Sequence, residues 1–172
     1  MLTLCLLRHA KSSWKNPVLP DRERPLATRG INDAPLMGKA MAEREIDPDL
    51  VLCSSARRTR DTLDLVLPEL RVEPKVVYED SLYHARPETM LEMLQGLAPG
   101  ANRVMLVGHN PELQAFALDL VGSGAKHLRE RLMTKFPTAG LAVINFAAGL
   151  WKSVTVDSGT LNLFLVPRDL RA

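Results

Sequence analysis

The chain has 172 residues, 46% of them hydrophobic and 24% charged, which suits one globular domain over residues 1–172 rather than a disordered or membrane-spanning chain. Twenty-two basic residues against 20 acidic ones leave a formal net charge of +2, so there is no bulk field for nucleic acid and no nucleic-acid partner is expected. The two cysteines, Cys5 and Cys53, are too few for a zinc site or a disulfide framework and point to a reducing compartment. The opening apolar run is too short to span a bilayer and lacks the basic lead of a signal peptide, so the expectation is a cytoplasmic protein with no membrane partner.

Leu2 to Leu7 is continuously apolar, the pattern of a strand buried on both faces. Residues 10–27 are polar and hold Pro17, Pro20 and Pro25, which predicts an irregular loop. A helix is expected from about Arg29 to Arg44, with Ala34, Met37 and Met41 on one face and Thr28 as N-cap, although Pro35 counts against a regular start. Leu50–Cys53 reads as a second strand and Arg57–Leu67 as a helix stopped by Pro68. Val72–Tyr78 is a weaker strand, kept near an edge by Pro74.

Pro87–Leu97 is a helix with proline in its first turn. Arg103–Val107 is a further buried strand. Asn110 and Pro111 then predict a capped helix reaching about Val121. Leu141–Phe146, Trp151–Val156 and Thr160–Val166 read as strands. Strands alternating with helices over the first two thirds of the chain predict an α/β fold, a three-layer α/β/α sandwich with a mostly parallel central sheet. Ligands in such sheets bind beyond the carboxyl ends of the strands.

Two of those ends carry chemistry. The first strand runs into Arg8-His9-Ala10-Lys11-Ser12, and the strand at 103–107 into Gly108-His109-Asn110-Pro111. A lone Arg-His pair is more often simply where a strand stops. Further along, Ser54-Ser55-Ala56-Arg57-Arg58-Thr59-Arg60-Asp61-Thr62 places serines at a helix start and arginines in its first turns. Helix N-termini and arginine forks both bind phosphate, though a solvated basic face has the same composition. Arg24, in the loop after the first strand, adds a cation. His84 and His127 read as surface or structural histidines, Trp14 as a residue of the pocket mouth or of the loop packing, and the methionines as core filler.

Taken in order, Leu-Leu-Arg-His-Ala at 6–10, Arg-Pro-Leu-Ala-Thr-Arg-Gly at 24–30, the Ser54–Thr62 segment, Val-Gly-His-Asn-Pro at 107–111 and Phe-Pro-Thr-Ala at 136–139 resemble the histidine phosphatase superfamily. This superfamily is also called phosphoglycerate-mutase-like, and the resemblance is to its small SixA-type phosphohistidine phosphatase branch. It implies that His9 is a nucleophile that becomes phosphorylated and that Arg8, Arg58 and His109 complete a phosphate pocket. The family's serine-to-arginine spacing runs from Ser54 to Arg58, which selects Arg58 over Arg57. Arg24 and Ser12 are candidate substrate contacts. No cofactor and no metal are implied. Tungstate-like anions and phosphate are expected to occupy the site.

The physical chemistry is compatible with those roles. A neutral imidazole attacks phosphorus, arginines and a protonated His109 stabilise the charge, and Arg8 beside His9 favours the neutral ring. The sequence also departs from the family. Ala10 stands where many relatives have glycine, Ala27 where many have a capping threonine or serine, and Lys15 where the mutase branch has asparagine. No residue clearly matches the glutamate that larger relatives use as general acid; Glu79, Asp80 and Glu88 are the candidates. A site without a dedicated acid suits an imidazole leaving group better than an alkoxide.

The expected activity is therefore hydrolysis of phosphohistidine on a partner protein, a phosphotransfer domain or a phosphocarrier. The alternatives are a general small-molecule phosphomonoesterase or mutase and, in another class, a non-catalytic phosphate-recognition module.

Overall fold

Along the first strand, β1 (Leu2–Arg8), Leu2, Leu4 and Leu6 pack into one apolar cluster and Cys5 and Leu7 into another. The same alternation recurs in β4 (Arg103–Gly108): Val104 and Leu106 join the first cluster, Met105 and Val107 the second. A strand has period two, so a run that is apolar at every position is buried on both faces and needs a layer on each side. The computed structural model, which describes residues 1–171, supplies both layers. On one face lie α1 (Thr28–Glu43), contributing Ala34, Met37 and Met41, and α2 (Arg57–Val66), contributing Leu63 and Val66. On the other lie α3 (Pro87–Gln95), α4 (Glu112–Leu120) and α5 (Lys126–Thr134), contributing Met90, Leu94, Leu113, Phe116 and Leu132. Cys5 and Cys53 are buried free thiols of the α1/α2 face, and burial pushes both up to about 12.

The remaining strands are β2 (Leu50–Ser54), β3 (Lys75–Glu79), β5 (Val121–Gly124), β6 (Leu141–Phe146) and β7 (Gly159–Leu165), and a short α6 (Pro167–Leu170) follows. The seven strands are ordered β3-β2-β4-β1-β6-β7-β5. β1, β2, β3 and β4 pair in parallel, and β6 runs antiparallel to β1 and β7. This is the expected α/β sandwich with a mostly parallel sheet. The reversed strand matters for the site: Leu7 pairs with Leu141, so the start of β6 lies beside the end of β1. β3 is an edge strand, with Pro74 just outside it.

Several local expectations are corrected. The N-cap of α1 is Ala27, and Thr28 is its first helical residue. Pro35 sits inside α1, which continues through it to Glu43. Pro111, not Asn110, is the N-cap of α4; Asn110 stands one residue outside and its Oδ1 accepts the Gln114 amide at 3.1 Å. Trp151–Val156 is not a strand. Its first part is a 3-10 turn, Trp151–Ser153, whose buried indole N–H donates to the Ala101 carbonyl. Aromatic and β-branched content there reflects burial of single side chains, not strand pairing. β5 and α5 have no counterpart in the sequence reading: β5 is Val-Gly-Ser-Gly, and α5 buries only Leu132. Among the described residues no helix is long and apolar enough to cross a membrane.

Candidate active site

The parallel register sets the ends of three strands level. Arg8 pairs with Gly108, Leu7 with Val107 and Cys53 with Val107, so His9, His109 and Ser54 emerge together at the carboxyl edge. The rings of His9 and His109 are 5.4 Å apart, and both side chains are almost fully buried. The backbone holds His9 from two directions: its N–H donates to the Gly108 carbonyl at 3.1 Å, and its carbonyl accepts the Ala139 amide at 3.0 Å. Ala139 has φ 58°, a left-handed conformation, in the turn that leads into β6.

His9 Nδ1 lies 2.8 Å from the Ala10 carbonyl oxygen. A carbonyl only accepts, so Nδ1 carries the proton and Nε2 the lone pair. Burial lowers the His9 pKa to about 3, with Arg8, Arg58 and Arg24 adding to the shift. The ring is thus neutral at pH 7 and nucleophilic at Nε2. Burial contributes more to this than the neighbouring Arg8.

The guanidinium groups arrive from three elements. Arg8 ends β1 and donates through Nη1 to the Phe136 carbonyl at 2.9 Å, while its buried Nε has no partner. Arg58, in the first turn of α2, is 5% exposed. Arg57 projects outward to an i,i+4 pair with Asp61 at 3.5 Å, its side chain 49% exposed. Successive helical residues diverge by ~100°, so only one of the two arginines can enter the site. Arg24 donates from Nη2 to Ser12 Oγ at 2.5 Å and from Nε to the Ser13 carbonyl at 3.2 Å, and it stacks on the exposed Trp14 ring at 3.2 Å. Threonines pin α2 in place: Thr62 Oγ1 accepts the Ala10 amide at 2.9 Å and donates to the Arg58 carbonyl at 2.7 Å.

His109 Nε2 is 2.8 Å from Ser54 Oγ, and its Nδ1 is buried without a partner. Burial first, then His9 and Arg58, hold its pKa at about 3. His109 is therefore neutral in the protein by itself, not protonated as the sequence reading expected, and offers one N–H. Burial and the charge of Arg58 likewise lower the Arg8 pKa. Clustered guanidinium groups, an unpartnered Arg8 Nε and an unpartnered His109 Nδ1 are donors of the kind that bind anions.

The sequence profile of the histidine phosphatase superfamily (branch 1) matches residues 4–83. An uncharacterised protein of Mycobacterium leprae is 37% identical over 166 residues, covering 94% of this chain and all of the relative. The fold is similar to that of a candidate SixA phosphohistidine phosphatase from Agrobacterium tumefaciens, at 34% identity and TM-score 0.82, over 96% of this chain and 98% of that one. This chain belongs to the histidine phosphatase superfamily. A SixA protein histidine phosphatase solved with tungstate shares the fold at 20% identity and TM-score 0.76, over 99% of this chain and 100% of that one.

The histidine phosphatase site contains residues that sequence reasoning missed. Asp21, in a 3-10 turn over Asp21–Glu23, reaches across the arginines. Its Oδ1 accepts Arg24 Nη1 at 3.0 Å, its Oδ2 accepts Arg58 Nη2 at 3.0 Å and the Tyr83 hydroxyl, and its carbonyl accepts Arg58 Nη1 at 2.8 Å. The Tyr83 hydrogen bond, followed by those of Arg24 and Arg58, holds the Asp21 carboxyl well below the usual carboxylate range. The signal available in the sequence was the spacing of Asp21 three residues before Arg24, in a loop that offered no period to read.

His84 is exposed, as expected of a surface histidine, but its ring is in contact with other rings. It adopts φ 57°, and its ring centroid lies 4.2 Å from that of Tyr83 and 5.8 Å from that of His109. His127 is exposed on α5. Of the three candidate acids, Asp80 is bound to Arg22 at 3.0 Å and to Ser55, Glu88 is exposed on α3, and Glu79 ends β3.

Proposed function

We propose that this histidine phosphatase hydrolyses phosphohistidine on a partner protein, a phosphotransfer domain or phosphocarrier, through a phosphoryl group carried on His9. The observation that carries the reading is the set of donors on the Asp21 carboxylate, Arg24, Arg58 and the Tyr83 hydroxyl. The carboxylate lying across the site is held charged by Tyr83 and two arginines, which makes it a poor proton donor. An alkyl ester needs its alkoxide protonated as it leaves, whereas an imidazole protonated on its far nitrogen leaves as a neutral ring. The names of the similar SixA structures support the same substrate class.

In the first step His9 Nε2 forms a bond to phosphorus while the P–N bond to the substrate ring breaks, the electron pair returning to that ring's nitrogen. Arg8, Arg58 and Arg24 neutralise the phosphoryl oxygens, and His109 donates to one of them. Because Nδ1–H stays on the Ala10 carbonyl, phospho-His9 keeps its far proton. Water then attacks phosphorus as the P–N bond to His9 breaks and its electron pair returns to Nε2; one water proton passes to a phosphate oxygen, so dihydrogen phosphate forms and His9 departs as the neutral ring it was at the start.

The test compares kcat/KM for a phosphohistidine-bearing protein, free phosphohistidine, an aryl phosphate and alkyl phosphates such as phosphoserine. Protein-bound phosphohistidine is expected to lead and alkyl phosphates to trail. Label on His9 should survive an alkaline quench and be lost in acid. An alkyl phosphate that equals phosphohistidine would replace this reading with a general phosphomonoesterase.

A further inference from the structure

Outside the ring of phosphate-binding groups lies a second pair of side chains that the hydrolysis as written above does not use. His84 follows the 3-10 turn Asp80–Leu82, and Glu112 opens α4, two residues beyond Asn110. His84 Nδ1 is 3.7 Å from Glu112 Oε1. Glu112 Oε2 is buried and has no hydrogen-bond partner. The His84 side chain is 55% exposed, while His109 behind it is buried, so His84 stands at the mouth of the site, one ring further out than His109. His84 adopts the left-handed backbone, uncommon outside glycine, and its ring lies against those of Tyr83 and His109.

A phosphohistidine that presents its phosphorus to His9 points its far ring nitrogen outward, toward the mouth. That nitrogen has to carry a proton, because otherwise the ring would leave as an imidazolide anion. With its own proton on Nδ1, facing Glu112, His84 presents the Nε2 lone pair as an acceptor. Building on the phosphohistidine reading, we infer that His84, oriented by Glu112, is the subsite for the leaving imidazole. Its Nε2 accepts the hydrogen bond of the far N–H and holds the ring in its protonated form.

No proton is transferred. The P–N electron pair returns to the near nitrogen, the far N–H stays in place, and a neutral imidazole departs from His84. His84 is then a specificity-determining residue and Glu112 a positioning residue acting through it. The other charged or titratable groups around the pair are His109, Tyr83, Arg58 and Asp21. An aryl phosphate has no far N–H, so it cannot use this subsite.

The experiment measures kcat against pH for a phosphohistidine-bearing protein and for p-nitrophenyl phosphate, in the wild type, His84→Asn and Glu112→Gln. Asparagine tolerates the left-handed backbone, and glutamine keeps the shape of Glu112. Loss of a hydrogen bond to a charged group should lower the ratio of phosphohistidine to aryl phosphate turnover by about tenfold or more in His84→Asn. With phosphohistidine, the alkaline limb of kcat, which reports ionisation in the bound complex, should move to lower pH in both variants. Equal losses on both substrates, or an unmoved alkaline limb, would overturn the inference. A wild type with no preference for phosphohistidine would overturn the functional reading and this inference with it.

Discussion

Asp21 binds Arg58 twice, through its side chain at 3.0 Å and through its own carbonyl at 2.8 Å. The guanidinium proposed to hold the phosphoryl group is thus already engaged by an internal anion. Asp21→Asn keeps the shape and removes the charge. Tungstate or phosphate should then inhibit at several-fold lower concentration, because the competing carboxylate is gone. Inhibition constants at fixed ionic strength measure this, and weaker anion binding in the variant would show that Asp21 organises the arginines instead of competing for them.

Arg58 and Arg57 are neighbours in sequence but point to opposite environments. Arg58→Ala should lower kcat/KM by a factor on the order of 10² or more, in keeping with loss of a group that stabilises developing charge. Arg57→Ala loses only a surface pair, so its kinetics should stay near wild type. Similar losses in the two variants would contradict the geometry of α2.

Both buried imidazoles make folding sensitive to acid. The pKa values of His9 and His109 are about 3, below the ordinary 6.5. Above pH 6.5 neither the folded nor the unfolded chain protonates these rings, and stability is intact. As pH falls from 6.5 toward 3, the unfolded chain binds protons that the folded chain excludes, so stability declines, by up to about 1.4 kcal/mol per pH unit for each ring. Asp21 adds a loss only below its ordinary 3.8. Urea unfolding across pH 7 to 4 should show the slope, reduced in His109→Gln. Constant stability over that range would mean that the rings charge freely in the folded protein.

In the proposed mechanism charge neutralisation comes from arginine. Among the described residues, no group of three or more His, Cys, Asp or Glu side chains converges as a metal site. Activity should persist after exhaustive chelation, and tungstate should compete with substrate. Activity that needs added Mg²⁺ or Zn²⁺ to return would refute this.

Gly30 shows how the loop bearing Ser12 and Arg24 is held against α1. A Cβ at this position would lie 2.3 Å from the Lys11 carbonyl oxygen, beside the Ala27 amide that donates to the same oxygen at 2.8 Å. Gly30→Ala should therefore destabilise by about 1–3 kcal/mol and raise KM by displacing Arg24. Thermal unfolding and kinetics on the same variant check both effects.

The sequence by itself determined the layered α/β fold and the strand ends from which Arg8, His9 and His109 emerge, because doubly buried strands and helix punctuation are local patterns. The choice of Arg58 over Arg57 came from the family resemblance, through its serine-to-arginine spacing, and not from any local pattern. The sequence did not reveal β5 and α5, whose residues are held by neighbours and carry almost no apolar period of their own. Nor could it reveal that Asp21, Tyr83, His84 and Glu112 lie beside Arg58, His109 or one another. These come from a proline-broken loop, from the turn after an edge strand and from a helix start, segments whose position depends on what they pack against. Only the tertiary structure decided that the Asp21 carboxylate meets two arginines and that the histidine at 84 turns inward. Both depend on contacts between residues far apart in the chain, such as Asp21 with Arg58 and Tyr83, which no local spacing encodes.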